Sequence, residues 1–389
     1  MNQSTEISKF KGQVIIDRLQ SGVPSPSVID ILTVGRKDII DRVYGDLEHI
    51  KNHSCDSLII EGQYGFGKTH IIEYIAHQAL NQNFAVSTVT LDARETPFNK
   101  FDIIYKQIVN SLKMPDAPYS NGLEILLDKW CELSSNDSNN EIVPDYAPNR
   151  LKHSLLAYIV AKDTSCKYNL RRVISGEPLP VQFLKNVFND VGYNEYNSSL
   201  SIKSHEEYIN ALKTIQHIIQ QCGYSGHVIV FDESEAIFLN RIDLRLKAYK
   251  VFDYFLTCKN GMIKLYCVFA FTPDFFEILK KDRTAFNSGK YPEMVEIFNN
   301  FSQHTNKKYI LKELYHRDIF ETLKKIRQIH YSAFEWNAYE VVTDEILQKI
   351  LRKLEDQSIR TIIKATVEIL DLAEQYPDFD PLTEIELFR

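Results

Sequence analysis

The fold of this chain is decided by one stretch, Gly62-Gln63-Tyr64-Gly65-Phe66-Gly67-Lys68-Thr69. It fits the Walker A pattern G-x-x-x-x-G-K-[ST], and it has the flanks that this pattern requires. The apolar run at residues 58–60 predicts a buried strand ahead of it, and the apolar spacing over residues 69–80 predicts a helix after it. Strand, glycine loop and helix in this order predict a phosphate-binding loop.

Each part of the loop has a chemical reason. Small residues at positions 62, 65 and 67 let backbone N–H groups close around phosphates, and the helix N-terminus adds partial positive charge. Lys68 is expected to reach the β- and γ-phosphates, and Thr69 to offer its hydroxyl to Mg²⁺. The predicted ligands are therefore ATP and Mg²⁺, and the predicted nucleotide-binding set extends through His70. The alternative is a glycine-rich turn without a ligand.

A second motif lies at residues 228–233, where an apolar run ends in Asp232 and Glu233. It fits Walker B, in which a buried parallel strand carries an acid to the carboxyl edge of the sheet. Asp232 is expected to hold Mg²⁺ through its water shell, and Glu233 to polarise the attacking water. The alternative is an acidic pair that caps the following helix. Glu235 is interpreted as an acid in the first turn of that helix.

Two further candidates follow from motif order. Thr272 ends the next predicted strand, residues 265–271, where many ATPases place a polar sensor of the γ-phosphate. A threonine before Pro273 is also ordinary turn chemistry. Arg360 begins a predicted helix and is a candidate second sensor. The alternative is a surface arginine at a helix start, although a cation at a helix N-terminus is mildly unfavourable.

Strands alternate with helices from residue 35 to residue 311, which predicts an α/β fold with a parallel sheet flanked by helices, of the P-loop NTPase type. Residues 1–34 predict an N-terminal helix (7–19) and a loop (21–26). Residues 113–205 lose the alternation and predict a helical insertion with a polar turn at 134–140. Residues 312–389 show only helical periodicity and predict a lid subdomain with a tail.

Composition restricts the class of protein further. The 389 residues are 44% apolar, and no apolar run is long enough to span a membrane. A net charge of −7 argues against a basic nucleic-acid coat. The 11 histidines show no metal-binding spacing. The six cysteines lie at positions 55, 131, 166, 222, 258 and 267 and contain no CxxC pair. Neither a zinc site nor a disulfide framework is therefore expected, and a reducing cytoplasm fits this pattern best.

Taken together, these motifs resemble the AAA+ class, particularly its initiator-like clade. The resemblance includes Val34-Gly35-Arg36 before the first core helix and a helical lid that carries Arg360. More closely, the chain resembles the BrxD-type ATP-binding proteins of BREX phage-defence systems over about residues 20–375. The stretches that carry this resemblance, besides the loop, are Leu91-Asp92-Ala93-Arg94-Glu95-Thr96-Pro97, Lys100-Phe101-Asp102, Gly223-Tyr224-Ser225-Gly226 and Ala270-Phe271-Thr272-Pro273-Asp274-Phe275.

The resemblance implies a cytoplasmic ATPase that works with other subunits of a bacterial defence system, on or near DNA. DNA itself and a second copy of the chain are further candidate partners; a membrane is not. The resemblance also implies that Gly35 and Arg36 lie near the adenine of the nucleotide. Taken from the local sequence alone, the two residues fit the N-terminal turn of a helix equally well.

The chain departs from the AAA+ pattern in two places. Lys68 and Asp232 of the two Walker motifs are 164 residues apart in sequence, and residues 291–298 contain no arginine, so Arg283 is the remaining candidate for an arginine finger. Arg283 lies in a basic stretch with Lys280, Lys281 and Lys290 that fits either a partner contact or a solvated face. The rival function is therefore a nucleotide-gated switch with little turnover. A small-molecule kinase is a distant third.

Overall fold

A computed structural model describes residues 8–21, 29–52, 55–134, 142–196, 199–202, 204–258, 261–286 and 289–387. The loop expected at residues 21–26 lies almost wholly outside the described residues, as does the polar turn expected at 134–140. The chain divides into two compact units. The first comprises residues 1–43, 61–77 and 310–389, and the second comprises residues 44–60 and 78–309.

Five strands form one sheet in the order β2-β3-β4-β1-β5, and a parallel sheet flanked by helices confirms the predicted α/β class. The strands are β1 (Cys55–Glu61), β2 (Ala85–Thr90), β3 (His227–Asp232), β4 (Leu265–Phe271) and β5 (Tyr309–Ile310). Strands β3 and β4 are buried at every residue, which explains their continuous apolar sequences. Their parallel register places Phe231 beside Phe269, and the two rings stack with centroids 4.8 Å apart.

Helices precede, connect and follow these strands. They are α1 (Lys9–Gln20), α2 (Ile29–Leu32), α3 (Lys37–Lys51), α4 (Lys68–Asn81), α5 (Phe101–Asn110), α6 (Gly122–Ser134), α7 (Asn149–Val160), α8 (Thr164–Ile174), α9 (Val181–Asp190), α10 (His205–Gln221), α11 (Ile242–Leu256), α12 (Pro273–Ala285), α13 (Met294–Thr305), α14 (His316–Phe334), α15 (Ala338–Val341), α16 (Asp344–Lys353), α17 (Ile359–Gln375) and α18 (Pro381–Leu387). The sequence pattern did not predict α8, α9, α12 or α13, nor the short helices α2, α15 and α18.

Side chains cap the N-termini of α8, α10, α16 and α17. In α10 the Ser204 hydroxyl accepts from the backbone N–H of Glu207, and the Glu207 carboxylate accepts from the N–H of Ser204. Such caps satisfy donors that the helix itself leaves unpaired. Between residues 113 and 205 the described elements are helices, apart from two isolated β-bridges. The assignment of that stretch as an insertion, and of residues 312–389 as a lid, remains a prediction.

Each unit has its own apolar core. In the second unit, helices such as α5 and α11 pack aromatic side chains together, and Phe98 lies 4.1 Å from Phe252 between ring centroids. In the first unit, α1, α14, α16 and α17 share a core that includes Ile15, Leu323 and Leu370. Burial of such side chains stabilises each unit by about 25 cal/mol per Å² of apolar surface.

The expectation that the cysteines form no disulfide is wrong for one pair. Cys55, at the start of β1, and Cys258, just after α11, form a disulfide with Cα atoms 6.2 Å apart. They are 203 residues apart in sequence, so no spacing rule could pair them; the fold brings them together within the second unit. A reducing compartment would hold the same pair as thiols. The described free cysteines are Cys131, Cys166, Cys222 and Cys267.

Candidate phosphate-binding loop and acidic strand end

The predicted phosphate loop connects β1 to α4, as its pattern requires. Gly65 and Gly67 adopt φ angles of +86° and +91°, which side-chain-bearing residues rarely tolerate. A Cβ at Gly62 would lie 3.2 Å from the Cβ of Leu311. At Gly67 no described heavy atom lies within 4 Å of the Cβ position, apart from its chain neighbours. The loop therefore has the backbone turns and the open space that phosphate oxygens need.

Lys68, the first residue of α4, extends back over the loop. Its ammonium donates to the carbonyl oxygen of Gly62 at 2.9 Å and lies 3.4 Å from that of Gln63. The adjacent Thr69 is exposed in the first turn of the helix. Tyr64 is 89% exposed at the tip of the loop. A cation, a hydroxyl and a helix N-terminus are thus presented by one turn of chain, which suits binding of a magnesium–phosphate group.

Arg36 lies against the same loop and belongs to the same unit. Its guanidinium donates to the carbonyl oxygen of Phe66 at 3.0 Å and to that of Lys312 at 2.6 Å. The residue is only 7% exposed. The role near adenine that the resemblance implies remains a prediction, whereas the structure places this side chain on the backbone of the loop.

Gly35, beside Arg36, packs against α14. Its φ is +69°, and a Cβ there would lie 2.6 Å from the carboxyl carbon of Asp318. Both the backbone conformation and the close approach therefore require glycine. The sequence pattern pointed to Gly35 only through the resemblance, and it gave no signal for Asp318.

His70 follows the loop and is also connected to the segment before α3. One of its ring nitrogens lies 2.8 Å from the hydroxyl of Thr33. Burial lowers the pKa of His70 to about 4, and the nearby positive charge of Arg36 acts in the same direction. The imidazole is therefore neutral at physiological pH. Thr33 was not a predicted site residue.

The start of α17 also reaches the loop. Ser358 caps this helix by accepting from the backbone N–H of Thr361, and its Cβ lies 3.8 Å from the Cβ position of Gly65. Arg360 is exposed in the first turn of the same helix. The predicted second sensor thus lies two residues after Ser358, on a helix whose start approaches the loop. Its contact with a phosphate remains a prediction.

The acidic strand end lies in the second unit. Asp232 is 8% exposed at the end of β3, and its carboxylate accepts from the backbone N–H of Glu233 at 2.9 Å. Glu233 is exposed and has a φ of +52°, an unusual conformation for a residue with a side chain. After it, residues Ser234–Leu239 form a 3₁₀ helix with Glu235 in the first turn, as expected of Glu235. Backbone strain at a predicted catalytic residue is typical of functional sites.

Thr272 follows the neighbouring strand. The paired part of β3 and β4 ends at Phe231 and Phe269, so Asp232 lies one residue and Thr272 three residues beyond it. Thr272 is half-buried and precedes Pro273, the first residue of α12. The two predicted residues are therefore at the same sheet edge, although a sensing role for Thr272 is untested.

Arg283, the candidate finger, lies on α12 and is held by neutral groups. Its guanidinium donates to the hydroxyl of Ser302 at 2.9 Å and to the amide oxygen of Asn299 at 3.3 Å. The neighbouring Lys280 instead pairs with Glu277.

In the described part of the chain no helix has the length and apolar character to cross a membrane.

The parallel sheet, its flanking helices and the glycine loop define an α/β protein. This architecture is compatible with that of P-loop nucleoside triphosphatases. The chain belongs to the family described as BREX system ATP-binding protein BrxC/D, whose model matches residues 7–156 and 197–388. No protein of curated function matches the sequence. Residues 157–196, which include α8 and α9, lie outside the family match, within the predicted insertion.

Proposed function

We propose that this chain binds and hydrolyses Mg·ATP, and that its hydrolysis or ATP-dependent assembly serves a BREX-like phage-defence complex. The observation that carries the proposal is the loop at residues 62–69, where two glycines at positive φ stand between a buried strand and a helix. The Lys68 ammonium lies over this loop. Membership in a family of ATP-binding proteins supports the same ligand.

The proposed roles follow from the chemistry of each side chain. Lys68 neutralises phosphate charge, and the hydroxyl of Thr69 and the carboxylate of Asp232 hold Mg²⁺, directly or through its waters. Bound Mg²⁺ would supply charge neutralisation at the phosphates. Glu233 orients and polarises the attacking water, while Thr272 and Arg360 sense the γ-phosphate. We place Mg²⁺ with the nucleotide, because this cation is usually bound through substrate phosphates together with one or two protein oxygens.

The wider setting is also part of the proposal. We infer an AAA+-like protein with a core at residues 35–311, a helical insertion at 113–205 and a lid at 312–389. It would act in the cytoplasm with other defence subunits, on or near DNA, and association with further copies of itself is consistent with the class. The support is the order of the motifs and the family match.

The alternative is a nucleotide-gated switch with little turnover. Residues 291–298 contain no arginine, and Arg283 is tied to α13 by Ser302 and Asn299. A chain without its own arginine finger would hydrolyse ATP slowly until a partner supplied the arginine, since arginine fingers contribute roughly 10³- to 10⁵-fold to turnover. In that case ATP would control partner binding.

The test is ATP binding and ATP hydrolysis by the wild type, Lys68→Ala, Glu233→Gln and Glu235→Gln, each with and without duplex DNA. Glu235 is the matched control, because it is an acid two residues from Glu233 in the same short helix. We expect Lys68→Ala to lose binding and Glu233→Gln to bind normally but hydrolyse at least ~100-fold more slowly. Turnover that Glu233→Gln retains would overturn the catalytic assignment. Binding without turnover under every condition would favour the switch.

A further inference from the structure

We propose that Arg36 is a positioning residue for the nucleotide phosphates, acting through the peptide bond between Phe66 and Gly67. The inference rests on the proposed ATP binding at this loop, and it assigns Arg36 to phosphate binding and not to recognition of the base. It depends on contacts within the first unit only.

The first step concerns the direction of one peptide group. The guanidinium of Arg36 holds the carbonyl oxygen of Phe66 at 3.0 Å. Because a trans peptide is planar, its C=O and N–H point in opposite directions, and fixing one fixes the other. The N–H of Gly67 therefore points away from Arg36. This N–H belongs to the loop whose backbone donors are expected to bind phosphate.

The second step concerns the freedom of the loop. Gly67 has a φ of +91° and an open Cβ position, so no side chain of its own limits the rotation of its backbone. A glycine loop without a restraint loses more conformational freedom when it closes on a ligand. A fixed cation at the Phe66 carbonyl removes part of that cost before binding.

The third step concerns the anchor of the guanidinium itself. The other terminal nitrogen donates to the carbonyl oxygen of Lys312 at 2.6 Å, and the side chain is 7% exposed. A planar guanidinium engaged by two carbonyls has a fixed orientation. Thr33, three residues earlier, contacts His70 just beyond the loop. The segment 33–36 therefore contacts the C-terminal part of the loop at Phe66 and the first turn of α4 at His70.

The experiment compares phosphate binding with base recognition. Wild type, Arg36→Met and Arg36→Lys are titrated with Mg·ATP, Mg·GTP and Mg·tripolyphosphate in competition with a fluorescent ATP analogue. Lys37→Met is the matched control, because Lys37 is the adjacent cation and is exposed at the start of α3. Thermal melts of each variant report folding.

A positioning role predicts that Arg36→Met weakens all three ligands alike, by about tenfold or more, the scale of a lost hydrogen bond to a charged group. Arg36→Lys should recover part of the loss for all three ligands, since it keeps the charge and a donor. Lys37→Met should bind as the wild type does. If Arg36→Met does not fold, the ratios of the three affinities in Arg36→Lys carry the same test.

Two results would overturn the inference while leaving the proposed function intact. One is a loss confined to ATP, which would place Arg36 at the adenine. The other is unchanged affinity for all three ligands, which would leave Arg36 a purely stabilising residue. Failure of the wild type to bind any of the three ligands would instead remove the proposed function, and this inference with it.

Discussion

The phosphate loop is held by side-chain contacts from distant residues, whereas the acidic end of β3 lies in the backbone register of a parallel sheet. Arg36 donates to the carbonyl oxygen of Phe66 in the loop, 30 residues away in sequence, and to that of Lys312, which is 276 residues away. Asp232 instead pairs with Thr90 in the backbone register of β2 and β3, and its carboxylate accepts from the N–H of Glu233. We therefore expect single side-chain substitutions at distant positions such as Arg36 to affect the loop more than the strand end.

The largest expected difference lies in how each region contributes to nucleotide binding. Lys68→Ala should weaken ATP binding roughly 100-fold whether or not Mg²⁺ is present, since it removes a cation from the phosphates. Asp232→Asn should weaken binding about tenfold in Mg²⁺ and have no effect in EDTA, because its proposed contact is with the metal. Isothermal titration in both buffers checks this. An equal loss for Asp232→Asn in EDTA would contradict the assignment.

A second test addresses the dependence of the loop region on distant packing. Gly35→Ala should destabilise the chain by roughly 3 kcal/mol, because alanine is strained at positive φ and would collide with Asp318. Gly45→Ala is the matched control. Gly45 lies in α3 with no described atom within 4 Å of its Cβ position, so alanine should stabilise by about 0.5–1 kcal/mol. Chemical denaturation measures both.

A third test measures how the stability of the chain depends on pH through His227, the first residue of β3. Burial lowers the pKa of His227 to about 3, and its ring contacts the hydroxyl of Ser87 at 2.9 Å. In the unfolded chain the imidazole of His227 binds a proton near pH 6.5. The contribution of His227 to the free energy of unfolding is therefore complete above that pH and declines as the pH falls from 6.5 towards 3. Between pH 7 and pH 5 the free energy of unfolding should fall by about 2 kcal/mol from this group alone.

His227→Gln should remove that part of the decline, and His316→Gln, at an exposed position, should leave it unchanged. Denaturant midpoints at pH 5, 6 and 7 give the comparison. A wild-type decline that persists in full in His227→Gln would show that other groups titrate in its place.

The smallest expected effect concerns backbone strain. Glu233 and Glu335 have φ angles of +52° and +57°, one at the strand end and the other at the end of α14 in the first unit. Glycine at either position should stabilise the chain by about 1 kcal/mol, since it tolerates this conformation. Glu233→Gly should also abolish hydrolysis, whereas Glu335→Gly should retain it. Melting temperature and turnover, measured on the same samples, separate strain from catalysis.

The sequence could predict what depends on local patterns. The loop, both of its flanks, the buried strands β3 and β4 and the helix that begins at Ile359 were all found, because apolar period and glycine placement are local properties. Family membership was also predicted, from short motifs, and is confirmed. These features need no knowledge of which distant residues meet.

The contacts that position the loop could not be predicted in the same way. Nothing near Gly35 in the sequence indicates Asp318, and a bond from Arg36 to the backbone of Lys312 leaves no pattern in side-chain identity. The pairing of Cys55 with Cys258 is a further case, since it depends on where β1 and α11 lie in the folded unit. Helices α8 and α9 fall in the stretch that the family model leaves unmatched.

The bond between Cys55 and Cys258 turns the oxidised chain into a closed ring with two tails. Their 203-residue separation places just over half of the 389-residue polypeptide in that ring. In detergent, a ringed chain has a smaller hydrodynamic radius than its linear form and migrates faster through a gel. Comparing electrophoretic mobility with and without a reducing agent, after thiols are alkylated in intact cells, therefore reports the oxidation state of this pair where the protein is made.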